Sequence, residues 1–394
     1  MGLLSAICTA LLILSGCHAI SGKSAKNQAS GSWAEQMALA AMQRSDSLIR
    51  YNNPRSIKWQ YDIAFLGQAI DRLGYLNPAY SAYMQSYMDY FISEDGKIKT
   101  YKLEDYNLDN INPGKNLITL YKRTASEKYH IALLQLIQQL TNQPRTLSGG
   151  FWHKKAYPWQ MWLDGIYMSS PFMAQYAREF NDNKWFDTVF HQITLIYSKT
   201  LDPSTGLLYH AWDESKSQMW CNPETGTSRI FWSRGIGWFT MALVDVLDYV
   251  PENYQGRDSL IRIFRSVCNA LLKVRDPEKM VWFQVIDQPG RTGHYAEASG
   301  SCMFTYAFAK GAKKGYLPQK FYREALKSFR GIVREFIITG IDGLPSLTHI
   351  CGSCGLGGNP YRDGSYTYYV SEHQVDNDPK GVAPFILAAI ELNQ

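Results

Sequence analysis

Apolar residues recur at i, i+3, i+4 and i+7 through residues 129–140, 167–180 and 240–250. That spacing lays one apolar stripe along a helix and predicts helices there. Alternating apolar and polar runs are scarce. VWFQVID (281–287) and DGSYTYYV (363–370) are the few segments that read as strands or loops. Six times, a polar or Gly-containing loop leads into a helix rich in small and aromatic residues, near Asp62, Pro113, Gly165, Gly237, Gly300 and Gly381. These starts lie about 64 residues apart on average, room for two helices of about 12–15 residues plus long loops. Six inner helices paired with six outer ones describe an all-α (α/α)6 barrel, a six-hairpin toroid. An irregular helical solenoid fits the same periodicity. In the toroid, the loops leading into the inner helices share one rim. That rim gathers Asp62, Asp109, Asp164, His210, Arg234 and Glu297 around one cleft.

The first residues do not fit this pattern. Residues 1–16 are almost wholly apolar, and Leu14-Ser15-Gly16-Cys17 has the form of a bacterial lipobox. The run is too short to span a bilayer as a folded helix. It predicts a lipoprotein signal peptide over 1–16 and lipidation at Cys17. A small, polar tether follows over 17–34, then a single (α/α)6 domain over 35–394. No Lys or Arg precedes the apolar run, which departs from the usual signal, and a plain signal peptide is the alternative. No acidic run follows Cys17, which favours the periplasmic side over the cell surface. The membrane contact expected is the lipid alone.

Composition narrows the partners. Net charge is only +5 and no block of Lys or Arg occurs, so nucleic acid is not an expected partner. Aromatic residues make up 14%, with 11 Trp and 26 Tyr, which suits stacking on sugar rings or a large aromatic core. Five cysteines lie beyond the leader: Cys221, Cys268, Cys302, Cys351 and Cys354. An odd number sets no disulfide framework. Cys351 and Cys354 form one CxxC in a Gly-rich loop, a local pair with or without a disulfide. A zinc site would need a second pair of ligands. G-x-S-x-G, Walker and HExxH patterns are absent, and GLGG (355–358) follows no strand-to-helix unit. No cofactor is expected, and the chain reads as a monomer or weak dimer.

YPWQMWLDGIYM (157–168) holds one carboxylate, Asp164, among Tyr157, Trp159, Trp162 and Tyr167. An acid ringed by aromatics is costly unless it faces a cleft, where such a setting suits a general acid. The plainer alternative is a helix cap. Upstream, GGFWHKK adds His153, and YNLDNINPGKNL (106–117) sets Asp109 before a Pro-Gly helix start. LLYHAWDESKSQMW (207–220) offers His210, Trp212 and Asp213; RIFWSRGIGWFTMAL (229–243) offers Trp232, Arg234 and Trp238. Alone, each has a structural reading: a cap at Asp109, a satisfied buried His210, a loop cap at Asp213, an ion pair at Arg234, core Trp. Trp recurring with charge at four helix starts joins them into one candidate site.

At these segments the chain resembles glycoside hydrolase family 105, the unsaturated rhamnogalacturonyl hydrolases. The similar pieces include WQYDIAF, LDNINPGKNL, GGFWHKKAYPWQMWLDGIYM, HAWDE, FWSRGIGWFTMALVDVLDYVP, HYAEASGSCMFTYAFAKG, GLGGNPYRDGSY and NDPKGVAPFILAAIE. They run in order from about residue 58 to 392. The related unsaturated glucuronyl hydrolases share the fold and parts of the pattern. The resemblance implies an (α/α)6 barrel that acts on lyase-generated oligosaccharides ending in a 4,5-unsaturated uronic acid. The enol ether is hydrated: an aspartate protonates C4 and water adds at C5. By motif, Asp164 is the acid and then base, with Asp109 beside it favouring the protonated acid. His210 assists at the substrate or water. Arg234 and Trp238 contact the uronate, Trp162 and Trp232 form stacking walls, and His153 and Tyr61 are further contacts. The implied chemistry needs no metal. The substrate expected is unsaturated galacturonyl-rhamnose from rhamnogalacturonan. The alternatives are glycosaminoglycan or arabinogalactan fragments, an inverting glycosidase on the same toroid, and a glycan-binding lipoprotein without turnover.

Overall fold

A computed structural model describes residues 31–51 and 57–394. The signal peptide, Cys17 and most of the tether lie outside the described residues. The body starts with α1 (Trp33–Arg44), two residues before the boundary expected at 35. Ser32 and Glu35 cap α1 reciprocally, side chain to backbone, which sets its first turn.

Among the described residues, six helices form the inner layer: α2 (Tyr61–Asp71), α4 (Gly114–Thr124), α6 (Leu163–Phe180), α8 (Ser233–Val246), α10 (Ala298–Lys313) and α13 (Pro379–Leu392). Each begins within four residues of a start read from the sequence. Burial explains their composition: in α10, every residue from Ala298 to Ala312 is buried. A helix apolar or small on all sides needs a shell. The shell is α1, α3 (Pro78–Phe91), α5 (Glu127–Thr141), α7 (Lys184–Thr200), α9 (Arg257–Lys273) and α11 (Lys320–Phe336). These are amphipathic; α11 buries Phe321, Ala325, Phe329, Ile332 and Phe336 along one stripe.

The inner helices close into a ring. α6 packs on α4 and α8, α10 on α8 and α13, and α13 on α2. Asn116 Nδ2 donates to the Ala64 carbonyl (2.8 Å), tying α4 to α2. α1 packs on α13, so the first and last described helices form the sixth hairpin. The backbone N–H of Ala34 donates to the Gln394 carbonyl (3.3 Å). The architecture is an (α/α)6 barrel.

Short bridges stitch the loops at the rim. β1 (Gln160–Trp162) pairs antiparallel with β2 (Ala211–Asp213), Trp162 opposite Ala211. Trp232 bridges Val285, and Phe283 bridges Ala296. The loops leading into α6, α8 and α10 are thereby fixed to one another.

Three local expectations change. The stripe read over 240–250 ends early, because α8 stops at Val246 and turns follow. VWFQVID forms only isolated bridges, not a strand. DGSYTYYV contains a helical turn, α12 (Tyr366–Ser371), which Ser365 caps by accepting from the Tyr368 N–H (3.2 Å).

Candidate active site

Asp164 lies in the first turn of α6, two residues after Trp162, which is the N-cap. It is therefore not the cap, and its carboxylate is free for other work. The β1–β2 pairing brings His210, just before β2, alongside; the Leu163 N–H donates to the His210 carbonyl (3.0 Å). His210 Nε2 then sits 3.2 Å from Asp164 Oδ2, with the imidazole fully buried and Asp164 15% exposed. Tyr369, from α12, reaches the other ring nitrogen at 2.6 Å.

Asp109 stands on a 3-10 turn (Leu108–Asn110) ahead of α4. Its neighbours differ from those expected. Lys154 Nζ lies 2.6 Å from Oδ2, and His153 Nε2 lies 3.5 Å from Oδ1. Burial pushes the Asp109 carboxyl up, but Lys154 and His153 outweigh it and hold it below the usual carboxylate value. Asp109 is thus an anion compensated by a lysine, and much of its repulsion towards Asp164 is neutralised within the pair. Lys154 is a site residue the sequence reading passed over; the legible signal was its place directly after His153.

Gly165 explains why the motif needs glycine after its aspartate. A Cβ there would meet His153 Nδ1 at 2.9 Å and Leu108 Cδ1 at 3.2 Å. Its absence lets His153 and the Asp109 turn pack directly on α6. Gly235 plays the same part on α8, where a Cβ would meet Trp232 at 3.1 Å and His210 at 3.3 Å.

Burial pulls the His153 pKa from 6.5 down to about 4, against the pull of Asp109, so it is neutral at pH 7. A histidine depressed in the fold stabilises fully above its unfolded value and loses that contribution as pH falls towards the folded one. Fold stability is expected to drop between about pH 6.5 and 4. His153→Gln should flatten that slope in thermal melts run across the range.

Arg234, in the first turn of α8, is 2% exposed. Burial works against its charge, but Cys351, Glu297 and Tyr61 raise its pKa, and it remains a cation. Nη1 donates to the Cys351 carbonyl and to Ser299 Oγ (3.4 Å). Nε has no partner among the described residues, and neither does Trp238 Nε1, one helical turn on. Trp238 stacks on Tyr167 (centroids 4.8 Å) and meets Tyr61 and Phe65 edge-on. Tyr61 opens α2, partly exposed, and burial followed by Asp109 and Asp62 raises its pKa. Asp164 adds to that rise and Arg234 opposes it.

The stacking walls are corrected. Trp162 has His153 on one face (4.8 Å, 7°) and Tyr157 on the other (4.9 Å, 15°), and its Nε1 donates to Gln160 (3.1 Å). Neither face is open to a sugar. Trp232 is 1% exposed, with Arg234 over its ring at 4.8 Å and His210 against it at 4.5 Å. Both tryptophans pack against other candidate site residues, Trp162 on His153 and His210, Trp232 on His210 and Arg234. Asp213 accepts from the backbone of Ser215, Ser217 and Gln218, so it is a loop cap. Glu297 caps α10 and accepts the Cys351 N–H beneath Arg234 (3.1 Å). Asp62 sits 3.9 Å from Lys380, at the start of α13. Cys351 and Cys354 are free thiols with Sγ atoms 3.4 Å apart.

Comparison with known proteins agrees with this fold. The model of glycosyl hydrolase family 88 matches residues 33–394. A solved family 105 glycoside hydrolase from C. acetobutylicum is 44% identical, with TM-score 0.89, covering 92% of this chain and 99% of its own. Protein Atu3128 of Agrobacterium fabrum is 33% identical over 231 residues, 57% of this chain and 97% of its own. The unsaturated rhamnogalacturonyl hydrolase YesR of Bacillus subtilis is 24% identical over 283 residues, 70% of this chain and 76% of its own. An (α/α)6 barrel with an acid and histidine at its rim, matched by the family 88 model from its first helix to its last and close to a family 105 enzyme in sequence and fold, belongs to the glycosyl hydrolases of families 88 and 105.

Proposed function

We propose that this hydrolase releases a terminal 4,5-unsaturated uronic acid from lyase-generated oligosaccharides, with unsaturated galacturonyl-rhamnose from rhamnogalacturonan as the substrate. Asp164 gives its proton to C4 of the enol ether, and positive charge develops at C5 and the ring oxygen. Water adds at C5 and returns a proton to Asp164. The hemiketal opens to a C5 ketone, and the glycosidic oxygen leaves with the second sugar. One carboxyl group serves as acid and base in turn.

The observation that carries this reading is the pair of buried, unanswered donors, Arg234 Nε and Trp238 Nε1. A buried donor without an acceptor is costly, and a substrate carboxylate is the acceptor that best answers a guanidinium. A neutral sugar would offer Arg234 Nε no charged acceptor. Asp109 also favours hydration over a two-carboxylate displacement, because Lys154 already occupies it. The choice of rhamnogalacturonan leans on the Bacillus relative.

The test is a panel of saturated and unsaturated disaccharides, followed by the ultraviolet absorbance of the conjugated double bond. Loss of absorbance with the unsaturated galacturonyl-rhamnose is expected. Cleavage of saturated glycosides would overturn the mechanism, and binding without absorbance loss across the panel would overturn the enzyme assignment. We further propose a lipid anchor at Cys17 and a periplasmic location, supported by the LSGC motif alone. Incorporation of labelled fatty acid that Cys17→Ser does not abolish would refute the anchor.

A further inference from the structure

His210 touches protein through both ring nitrogens, and one of those contacts belongs to a residue outside the recognised motifs. Nε2 faces Asp164 Oδ2 at 3.2 Å, and Nδ1 faces the Tyr369 hydroxyl at 2.6 Å. His210 and Tyr369 are both fully buried, so water does not compete for either contact. Nδ1 is the only hydrogen-bond partner of that hydroxyl among the described residues.

We propose that Tyr369 is a positioning residue that sets the tautomer of His210, so that Nε2–H points at Asp164 when its carboxylate forms. The hydroxyl proton has one acceptor within reach, the Nδ1 lone pair. If Nδ1 carried the proton instead, the tyrosine would be left with a buried, unanswered O–H, at a cost of about 1–3 kcal/mol. With Tyr369 donating, the imidazole proton belongs on Nε2. Asp164 Oδ2 then receives a hydrogen bond, and Oδ1 is left to carry the proton destined for substrate. The donor gains most once that proton has gone and the carboxylate is charged. It therefore favours the transition state over the bound substrate.

The surroundings hold Tyr369 to this task. Burial, with Cys354, Tyr368, Asp164 and Cys351 adding to it, raises its pKa well above the usual value, so the hydroxyl keeps its proton. Gln284 anchors the backbone: its Nε2 donates to the Tyr369 carbonyl (3.0 Å), and its Oε1 accepts from Trp232 Nε1 (3.2 Å). Trp232 in turn packs on His210. Gln284, in the middle of VWFQVID, thus joins α12 to the start of α8. The ionisable groups facing His210 are Asp164 on α6, Tyr369 on α12 and His153 ahead of β1, with Arg234 behind the Trp232 ring.

The inference rests on Asp164 as the acid, and its test separates the two. Tyr369→Phe removes one oxygen and keeps the ring. A kcat loss of about 10–100-fold is expected with KM unchanged within about twofold. The alkaline limb of the kcat/KM profile should move to higher pH, because the carboxylate has lost a donor. On an Asp164→Asn background, Tyr369→Phe should cost nothing more. Nitrogen NMR of histidine-labelled protein should find Nε2 protonated and Nδ1 bare at His210. An unmoved pH limb overturns the proposal, whether or not the melting temperature falls, and so does a protonated Nδ1. Full activity of Asp164→Asn would instead overturn the functional reading, whatever Tyr369→Phe does.

Discussion

Asp164→Asn should lose about 10²–10⁴-fold in kcat while still binding unsaturated disaccharide. The amide oxygen can still accept from His210 Nε2–H, so the local geometry survives and only the transferable proton is gone. A melting temperature near that of the parent protein would show that the fold is intact. Absorbance decay gives the rate and calorimetry gives the affinity. Turnover within tenfold of the parent would remove Asp164 from the role of acid.

Arg234→Gln should act on binding first. Truncating one partner of a buried charge pair typically costs about 2–5 kcal/mol, which corresponds to a loss of at least about 30-fold in kcat/KM. The effect should fall mainly on KM, because the carboxylate is present in substrate and transition state alike. The change also leaves the Cys351 carbonyl without its charged donor and removes the cation above Glu297, so the melting temperature should fall as well. Arg234→Lys keeps the charge but lacks the planar fork and should rescue only part of the loss. An unaltered KM for Arg234→Gln would argue that the uronate carboxylate lies elsewhere.

Much of the ring was legible because burial on every side writes a distinctive sequence. Small and aromatic residues without a polar stripe mark α6, α8, α10 and α13, and their spacing counts the hairpins. The rim position of Asp164, His210 and Arg234 followed from that count. What escaped depends on contacts between distant segments. Nothing local to Trp162 reveals that Tyr157 and His153 cover both its faces. The Lys154 pairing with Asp109 needs two loops to meet. Tyr369 was hidden by the tyrosine-rich run of 363–370, whose β-like composition yields to a capped helical turn.

The hydrogen bond from Ala34 to the Gln394 carbonyl has a topological meaning. The first and last described helices lie side by side as an ordinary hairpin. In circular order, the six hairpins have no privileged first member. Joining those neighbours and opening the chain at another exposed outer turn would leave each helix with the same companions. The rim at which Asp164 meets His210 belongs to the circle of hairpins and not to the order in which the chain visits them.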